Sequence, residues 1–268
     1  MPPEPTAAAL AAVLASPRAV AAHDRAGWVA LFTAEAVVND PVGSRPHLGT
    51  AVIARFYDTF IAPNTIEFRV DHDIACPTTV FRDLTIETTM STGAMVAVPM
   101  HLKYDVVQRD GAWRIAELAA HWELGPMIWQ LLRTGAPGLL AATRLGPQLL
   151  RHQGLDGALA FLRALISVGR TGKRRTARMF AAAATTDIAT LRILLGDHAT
   201  LELPAGHRVT LEEFTNRTRN MRWDKLIAAG RSVTATVWIG TERGIAVIDF
   251  AAGTARVTTV RVYLDHAS

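Results

Sequence analysis

Apolar and polar positions along this chain form two successive groups, and each group begins with helical spacing and continues with strand-like alternation. In the first group, apolar side chains recur every three or four residues, which predicts helices over 6–22, 24–33 and 49–60. β-Branched and alternating segments predict strands at 36–40 and near 65–74, 78–90, 94–108 and 112–124. Arg109-Asp110-Gly111 between the last two strands is typical of a hairpin turn. This order predicts helices packed on a curved antiparallel sheet.

The second group repeats the order of the first. The corresponding segments are 187–195 with 24–32, 199–206 with 36–43, and 210–216 with the helix that begins at Thr50. Strand-like alternation then returns at 233–238, 244–250 and 256–264. An internal repeat of this kind predicts two units of the same architecture, and therefore an α+β fold with two curved sheets.

These patterns divide the chain into three regions. Residues 1–125 form the first unit and residues 173–268 form the second. Residues 126–172 carry apolar helical patterns broken by glycine and proline, which predicts a helical connector. The basic run at 169–175 lacks the glycine spacing of a phosphate-binding loop, so we interpret it as a solvated linker.

Composition narrows the classes of function. The chain has 268 residues and 50% are hydrophobic, which is enough for two cores. The net charge of +4 comes mainly from scattered arginines and predicts no nucleic-acid partner. The single Cys76 excludes an intramolecular disulfide, and no zinc-type cysteine spacing occurs. The N-terminal segment lacks a basic start and is broken by Pro17, so we expect no signal peptide, no membrane span and a soluble cytoplasmic protein.

One carboxylate stands where an apolar strand meets a turn. Val37 and Val38 favour a strand, and Asp40-Pro41 followed by Gly43-Ser44 favours a turn. A carboxylate at an apolar strand end can be partly desolvated, which raises its pKa and suits it to proton transfer. An Asp before Pro is also a common turn former with no chemical role, and the residues alone leave both interpretations open.

Residues from about 24 to 124 resemble a Δ5-3-ketosteroid isomerase domain of the NTF2-like or SnoaL-like superfamily. The segments that carry this resemblance are Trp28-Val29-Ala30-Leu31-Phe32, Asp40-Pro41-Val42-Gly43-Ser44, Gly49-Thr50, Phe56-Tyr57 and His101-Leu102-Lys103-Tyr104. The resemblance implies tandem NTF2-like cones, each with an apolar pocket at its open end. It also implies that Asp40 is the general base, and it implies no metal or organic cofactor.

The chain departs from the resembled family at the hydrogen-bond donors. Members of that family stabilise a dienolate with a Tyr and a protonated Asp, and the matching positions here are Ser16 and Met100. A slip of one residue in the alignment would put His101 at the second position. We prefer Met100 because Leu102 and Tyr104 share its apolar face, whereas His101 lies on the polar face and is expected to be solvated.

Three further residues complete the predicted site. Tyr57 matches a family tyrosine at the pocket rim, so we expect it across the cavity as a replacement catalytic donor; the alternative is an aromatic of the helix face with its hydroxyl at the core edge. Trp122 and Leu118 are expected to line the pocket wall. Together with Ser16 and Met100 they form the predicted substrate-binding set.

The second unit is predicted to be a degenerate copy. Its Pro and Gly align with those of the first turn and put Leu203 opposite Asp40. Glu202 is offset by one residue, which on a strand directs it to the other face. We therefore expect no base in this unit. Folds of the resembled family often form dimers, so we expect the second unit to pack on the first unit as an internal pseudo-dimer. A homo-oligomer of the whole chain is also compatible with the resemblance.

Two classes of function are compatible with the sequence. The first is an isomerase-like enzyme in which Asp40 moves a proton on a flat hydrophobic small molecule such as a steroid or polyketide, with an epoxide hydrolase or cyclase as a variant on the same fold. The second is a non-catalytic protein that binds hydrophobic ligands. The intact Asp-Pro-Val-Gly-Ser segment favours the enzyme, whereas the missing donors favour the binding protein.

Overall fold

The computed structural model describes residues 5–136, 163–196 and 198–265, together with residues 138, 140 and 143. It divides into two compact units, Met1–Leu165 and Ile166–Ser268, each with its own cluster of buried apolar residues. Helices and a curved, mainly antiparallel sheet occur in each unit, which confirms the predicted α+β class. About half of the predicted helical connector, chiefly 144–162, lies outside the described residues.

The first unit combines helices with a mixed sheet. Its helices are α1 (Pro5–Ala21), α2 (Arg25–Ala30), α3 (Thr50–Phe56) and α4 (Leu124–Arg133), and α3 continues into a π-helical turn at Tyr57–Ile61. Its strands are β1 (Phe32–Asn39), β2 (His47–Leu48), β3 (Asn64–Ala75), β4 (Thr79–Met90), β5 (Met95–Arg109) and β6 (Ala112–His121). The strand order is β2-β1-β6-β5-β4-β3, with β1 parallel to β6 and the other neighbours antiparallel.

Local chemistry explains where these elements begin and turn. The side chain of Asp24 caps α2 by accepting a hydrogen bond from the Gly27 backbone N–H at 2.8 Å. Asp110 and Gly111 both have positive φ, 49° and 75°, as a two-residue hairpin turn requires. The helix α1 packs across β3, β4 and β6, while α3 packs on β1. The helices therefore cover one face of the sheet.

The second unit follows the same order. Its helices are α5 (Gly169–Ala184), α6 (Ile188–Leu195) and α7 (Leu211–Arg217), preceded by a short 3₁₀ turn at Arg163–Leu165 in the first unit. Its strands are β7 (Thr200–Glu202), β8 (Arg222–Ala229), β9 (Ser232–Ile239), β10 (Glu242–Phe250) and β11 (Val257–Leu264), in the order β7-β11-β10-β9-β8. Asp187 caps α6 as Asp24 caps α2, by accepting from the Thr190 N–H at 2.9 Å.

The basic segment 169–175 differs from its sequence-based prediction. The sequence predicts a solvated linker, which is wrong, because these residues form the first two turns of α5. Gly172, Thr176, Met179 and Ala183 are buried and recur at helical spacing, so they form one continuous stripe on the helix. The arginines and lysine between them dominate the composition and obscure that stripe. The segment is therefore helical because of its small and apolar face.

Candidate active site

The turn after β1 determines the position of Asp40. β1 runs parallel to β6, with Asn39 opposite Ala119. Beyond the strand, the Val42 N–H donates to the carbonyl of Ala120 at 2.9 Å, so the turn stays hydrogen bonded to β6. Asp40 is thus held by the backbone on both sides, and its side chain lines a cavity.

The cavity has a volume of about 210 Å³ and lies over the sheet of the first unit. Alternate residues of β5 line it, as expected of one face of a strand: Val96, Val98, Met100, Leu102 and Tyr104. Polar groups lie at its two ends. Ser16, Trp28 and Asp40 lie towards the Tyr104 end, Trp122 lies level with Met100, and Asn64, Thr88, Ser91 and Thr92 lie towards the Val96 end. The wall between them is apolar.

Asp40 is a carboxyl group whose surroundings oppose ionisation. Burial raises the pKa of Asp40 to about 6, and a hydrogen bond from Trp122 partly offsets this rise. The Trp122 Nε1–H donates to Asp40 Oδ1 at 2.7 Å. Among the described residues Trp122 is the one hydrogen-bond donor to this carboxyl group. At pH 7 Asp40 is therefore mostly ionised, and it can accept a proton more readily than an ordinary carboxylate.

A chain of hydrogen bonds leads into the cavity from the helices. The Trp28 Nε1–H donates to Ser16 Oγ at 3.0 Å, and Ser16 is in turn hydrogen bonded to the hydroxyl of Tyr104. All three side chains are buried and line the cavity. The sequence alone does not indicate a polar role for Tyr104, because strand alternation assigns a residue to a face and says nothing about the partner of its hydroxyl.

The structure brings most of the predicted site residues to one place. Asp40 and the whole predicted substrate-binding set, Ser16, Met100, Leu118 and Trp122, line the cavity. Pairing of His101 with His121 puts Met100 level with Trp122 on neighbouring strands. The Met100 side chain is a thioether and has no hydrogen to donate. The described residues contain no group of three or more His, Cys, Asp or Glu side chains placed to hold a metal ion.

Tyr57 requires a correction. The resemblance places it across the cavity, but the described residues that line the cavity do not include it. Its ring packs against Trp28 with centroids 5.5 Å apart, and its buried hydroxyl has no hydrogen-bond partner among the described residues. Phe56 and Phe60 take the cavity side of this helix instead. Since helical neighbours are rotated by about 100°, Tyr57 points away from the face that Phe56 presents.

His101 also differs from expectation. It lies on the face of β5 opposite to Met100, as predicted, but it is fully buried instead of solvated. Its Nε2 atom lies 3.5 Å from Asp83 Oδ1. The neighbouring His121 is buried as well, and burial lowers the pKa of His121 to about 3. Neither histidine lines the cavity among the described residues.

The second unit builds the corresponding turn without a carboxylate. Glu202 lies opposite Arg261 of β11, and the Ala205 N–H donates to the carbonyl of Val262 at 2.8 Å. These contacts place Leu203 where the first unit has Asp40. Leu203 is completely buried. The Glu202 carboxylate instead accepts from the Gly206 N–H at 2.8 Å and lies 3.7 Å from Arg261.

The first unit thus combines a helix-covered curved sheet with an apolar cavity, and Asp40 is the one carboxylate among the described residues that line it. Residues 13–118 are a SnoaL-like domain, of the NTF2-like superfamily. None of the curated proteins compared with the chain matches it. Within the described residues, no helix has both the length and the apolar character needed to cross a bilayer.

Solved structures similar to this chain include two enzymes and one steroid complex. A Δ5-3-ketosteroid isomerase from Mycobacterium sp. has 31% identity and a TM-score of 0.41, with 46% of this chain and 95% of that chain covered. A Mycobacterium tuberculosis protein in complex with estradiol-17beta-hemisuccinate has 27% identity and a TM-score of 0.41, covering 46% and 96%. A Mycobacterium tuberculosis LEH-like epoxide hydrolase has 21% identity and a TM-score of 0.42, covering 52% and 96%.

Proposed function

We propose that the first unit catalyses proton transfer next to a carbonyl group on a flat hydrophobic substrate of steroid or polyketide type, with Asp40 as the general base. One observation carries this proposal: Asp40 lines an apolar cavity, and its pKa of about 6 keeps it ionised yet basic at neutral pH. The resemblance of the Asp-Pro-Val-Gly-Ser segment to ketosteroid isomerases supports the same role.

The proposed reaction moves one proton and needs no co-reactant. The Asp40 carboxylate removes a proton from the carbon between a ketone and a carbon–carbon double bond. The electrons of the broken C–H bond move through the carbonyl group to its oxygen, which gives a dienolate. The carboxyl group formed on Asp40 then returns the proton two carbons further along, so the double bond becomes conjugated with the ketone and Asp40 is ionised again.

A non-catalytic ligand-binding role is the second candidate, because Met100 stands where the resembled family has a donor. A thioether stabilises a dienolate oxygen poorly, and loss of one such donor typically lowers turnover by about 10²–10³-fold. Epoxide opening has less support. Asp40 is the one carboxylate among the described residues of the cavity lining, whereas opening an epoxide uses one group to activate water and another to protonate oxygen.

We infer that the second unit takes no part in this chemistry, since Leu203 stands at its turn and Glu202 is paired with Arg261.

A direct assay separates the enzyme from the binding protein. The full chain is mixed with a Δ5-3-ketosteroid, and the ultraviolet absorbance of the conjugated product is followed over time. The proposal expects conversion by the wild-type protein and its loss in Asp40→Asn. Conversion at the wild-type rate in Asp40→Ala contradicts the role of Asp40 as base. A protein that binds the steroid and does not convert it supports the binding role instead.

A further inference from the structure

Two hydroxyl groups lie together at the Asp40 end of the cavity. The side chains of Ser16 and Tyr104 are hydrogen bonded to each other, and both line the cavity. Ser16 is 3% exposed and Tyr104 is 1% exposed, so bulk water does not compete freely for these groups. A buried hydroxyl whose hydrogen is not used within the protein is a ready donor to a bound ligand.

Of the two hydroxyl hydrogens of Ser16 and Tyr104, one is not used in a hydrogen bond within this group of side chains. The Trp28 indole can only donate, and its hydrogen goes to Ser16 Oγ. Ser16 and Tyr104 have one hydroxyl hydrogen each, and the bond between them uses one of the two. When Ser16 donates to Tyr104, the hydrogen of Tyr104 is free for the cavity. Each bond in such a series polarises the next, which strengthens the last donor.

Strand register places this donor beside the base. Val38 is opposite Leu118 on β6, and Leu118 is opposite Tyr104 on β5, so the three form one row across the sheet. Asp40 follows Val38 by two residues and lines the same cavity. Its backbone therefore lies two strands across and two residues along from Tyr104, which is roughly 12 Å at the usual strand spacing and rise. A flat ligand between them can contact both side chains.

We propose that Tyr104, positioned by Ser16 and Trp28, donates a hydrogen bond to the oxygen atom of an apolar ligand that carries a ketone, enol or phenol group. The contribution of this bond to catalysis rests on the proposed function, whereas its contribution to binding does not. Tyr104 thereby takes the place of the donors that the resembled family has and that this chain lacks.

The electrostatic surroundings fit a donor that keeps its hydrogen. Burial raises the pKa of Tyr104 to about 12, so the hydroxyl is protonated at every pH at which the protein is assayed. The Arg82 guanidinium, paired with Asp73 at 2.8 Å, and the Ser16 hydroxyl both favour negative charge at this position, and the carboxylates of Asp40 and Asp73 oppose it more weakly. These groups also favour a neighbouring ligand oxygen that gains charge.

The experiment measures binding of two flat probes to the full chain. One is 2-naphthol, which has a hydroxyl group, and the other is naphthalene, which has the same rings and no oxygen. Affinities are measured by fluorescence titration for the wild type, Tyr104→Phe, Ser16→Ala and Tyr57→Phe. Tyr57→Phe is the matched control, because its hydroxyl is also buried but does not reach the cavity.

We expect Tyr104→Phe to weaken 2-naphthol binding about tenfold and to leave naphthalene binding unchanged, since only the hydroxyl loses its partner. Ser16→Ala should weaken 2-naphthol binding by a smaller factor, again without affecting naphthalene. A merely structural role of Ser16 would change both probes equally. Tyr57→Phe should bind both probes as the wild type does.

Equal loss of both probes in Tyr104→Phe, or loss of neither, overturns the proposal, and so does a wild type that does not prefer 2-naphthol. If Tyr104→Phe fails to fold, the probe-selective loss in Ser16→Ala decides the question. Binding of 2-naphthol requires no proton transfer. If the wild-type protein passes this test but converts no ketosteroid, the proposed role of Tyr104 as a donor stands and the proposed catalytic function fails.

Discussion

In both units a short strand runs parallel to the last strand of the sheet and leads into a turn whose second residue is a proline. The turns make the same backbone hydrogen bonds, since Val42 pairs with Ala120 in one unit and Ala205 with Val262 in the other. The first residue of the turn is Asp40 in the first unit and Leu203 in the second. The second turn forms without a carboxylate, so the fold itself does not need Asp40.

The two side chains contribute to stability with opposite signs. Leu203 is fully buried in an apolar cluster, and burying such a side chain stabilises a protein by about 1.5–3 kcal/mol. Asp40 is ionised at neutral pH although its pKa is raised to about 6, which costs up to about 3 kcal/mol relative to a carboxylate in water. A residue that opposes folding at a site where an apolar one would fit is typical of a functional position.

The largest expected effect tests whether only the first unit carries a base. Asp40→Asn should lower ketosteroid isomerisation by about 10³-fold, because the amide cannot accept the proton. The matched variant Glu202→Gln alters the nearest carboxylate of the second unit and should leave the rate unchanged. Steady-state rates of both variants check this. A large loss in Glu202→Gln would show that the second unit also takes part.

Replacing Leu203, the first turn residue of the second unit, by the Asp of the first unit should lower the stability of the protein. Leu203→Asp removes a buried apolar side chain and puts a carboxylate into an apolar cluster, so we expect a loss of about 3–5 kcal/mol in the free energy of unfolding at pH 7. Chemical denaturation followed by circular dichroism measures it. Leu203→Met, which conserves volume, should cost less than about 1.5 kcal/mol. A tolerated Leu203→Asp would contradict the equivalence of burial at the two turns.

The opposite change should stabilise the first unit in a pH-dependent way. The folded pKa of Asp40, about 6, lies above the ordinary value of 3.8, so ionisation opposes folding. Asp40→Asn should therefore be more stable than the wild type by about 2–3 kcal/mol above pH 6. The difference should shrink as the pH falls from 6 to 4 and vanish below that, when Asp40 is protonated in both states. Denaturation at several pH values checks the trend, and a difference that grows on acidification would refute it.

The smallest expected effect is a gain of activity. Met100→Asp restores a carboxyl donor at the position where the resembled family has one, provided that the group stays protonated in its apolar place. We expect at least a tenfold faster isomerisation, or about 1.4 kcal/mol of transition-state stabilisation. The same substitution in an Asp40→Asn background should bring no gain. A rate unchanged by Met100→Asp would mean that the dienolate oxygen does not lie near residue 100.

The order of elements in the first unit can be predicted because period and burial agree there, whereas in the second unit the strand Arg222–Ala229 is not among the predicted strands. The strands at 64–75, 79–90 and 95–109 lie within a few residues of their predicted ranges, since one face of each is apolar. The start of α5 escapes prediction because charge dominates the composition of 169–175 and Gly172 is the one buried residue of that segment. Hydrophobic periodicity predicts a helix reliably only where the buried small and apolar residues are not outnumbered by charged ones.

The candidate site is predictable only in part, for a different physical reason. The resemblance and strand parity locate Asp40, Met100 and Trp122 on one face, and the structure places all three on the cavity wall. The hydrogen-bond partner of a polar side chain depends on tertiary packing, which cannot be predicted from the alternation of residues along a strand. Ser16 therefore meets Tyr104, 88 positions further along the sequence, while Tyr57 lies behind Trp28 and not at the cavity.

The hydrogen bond between Trp122 and Asp40 makes this site optically visible. Indole emission responds to the electric field at the ring, and the field changes when a carboxylate bonded to the indole N–H gains a proton. The emission of Trp122 should therefore shift along a titration curve centred near pH 6, and the shift should be absent from Asp40→Asn. The other five tryptophans, Trp28, Trp113, Trp129, Trp223 and Trp238, are present in Asp40→Asn as well, so the difference between the two titrations isolates the response to Asp40. The protonation state of Asp40 can thus be followed without an added dye.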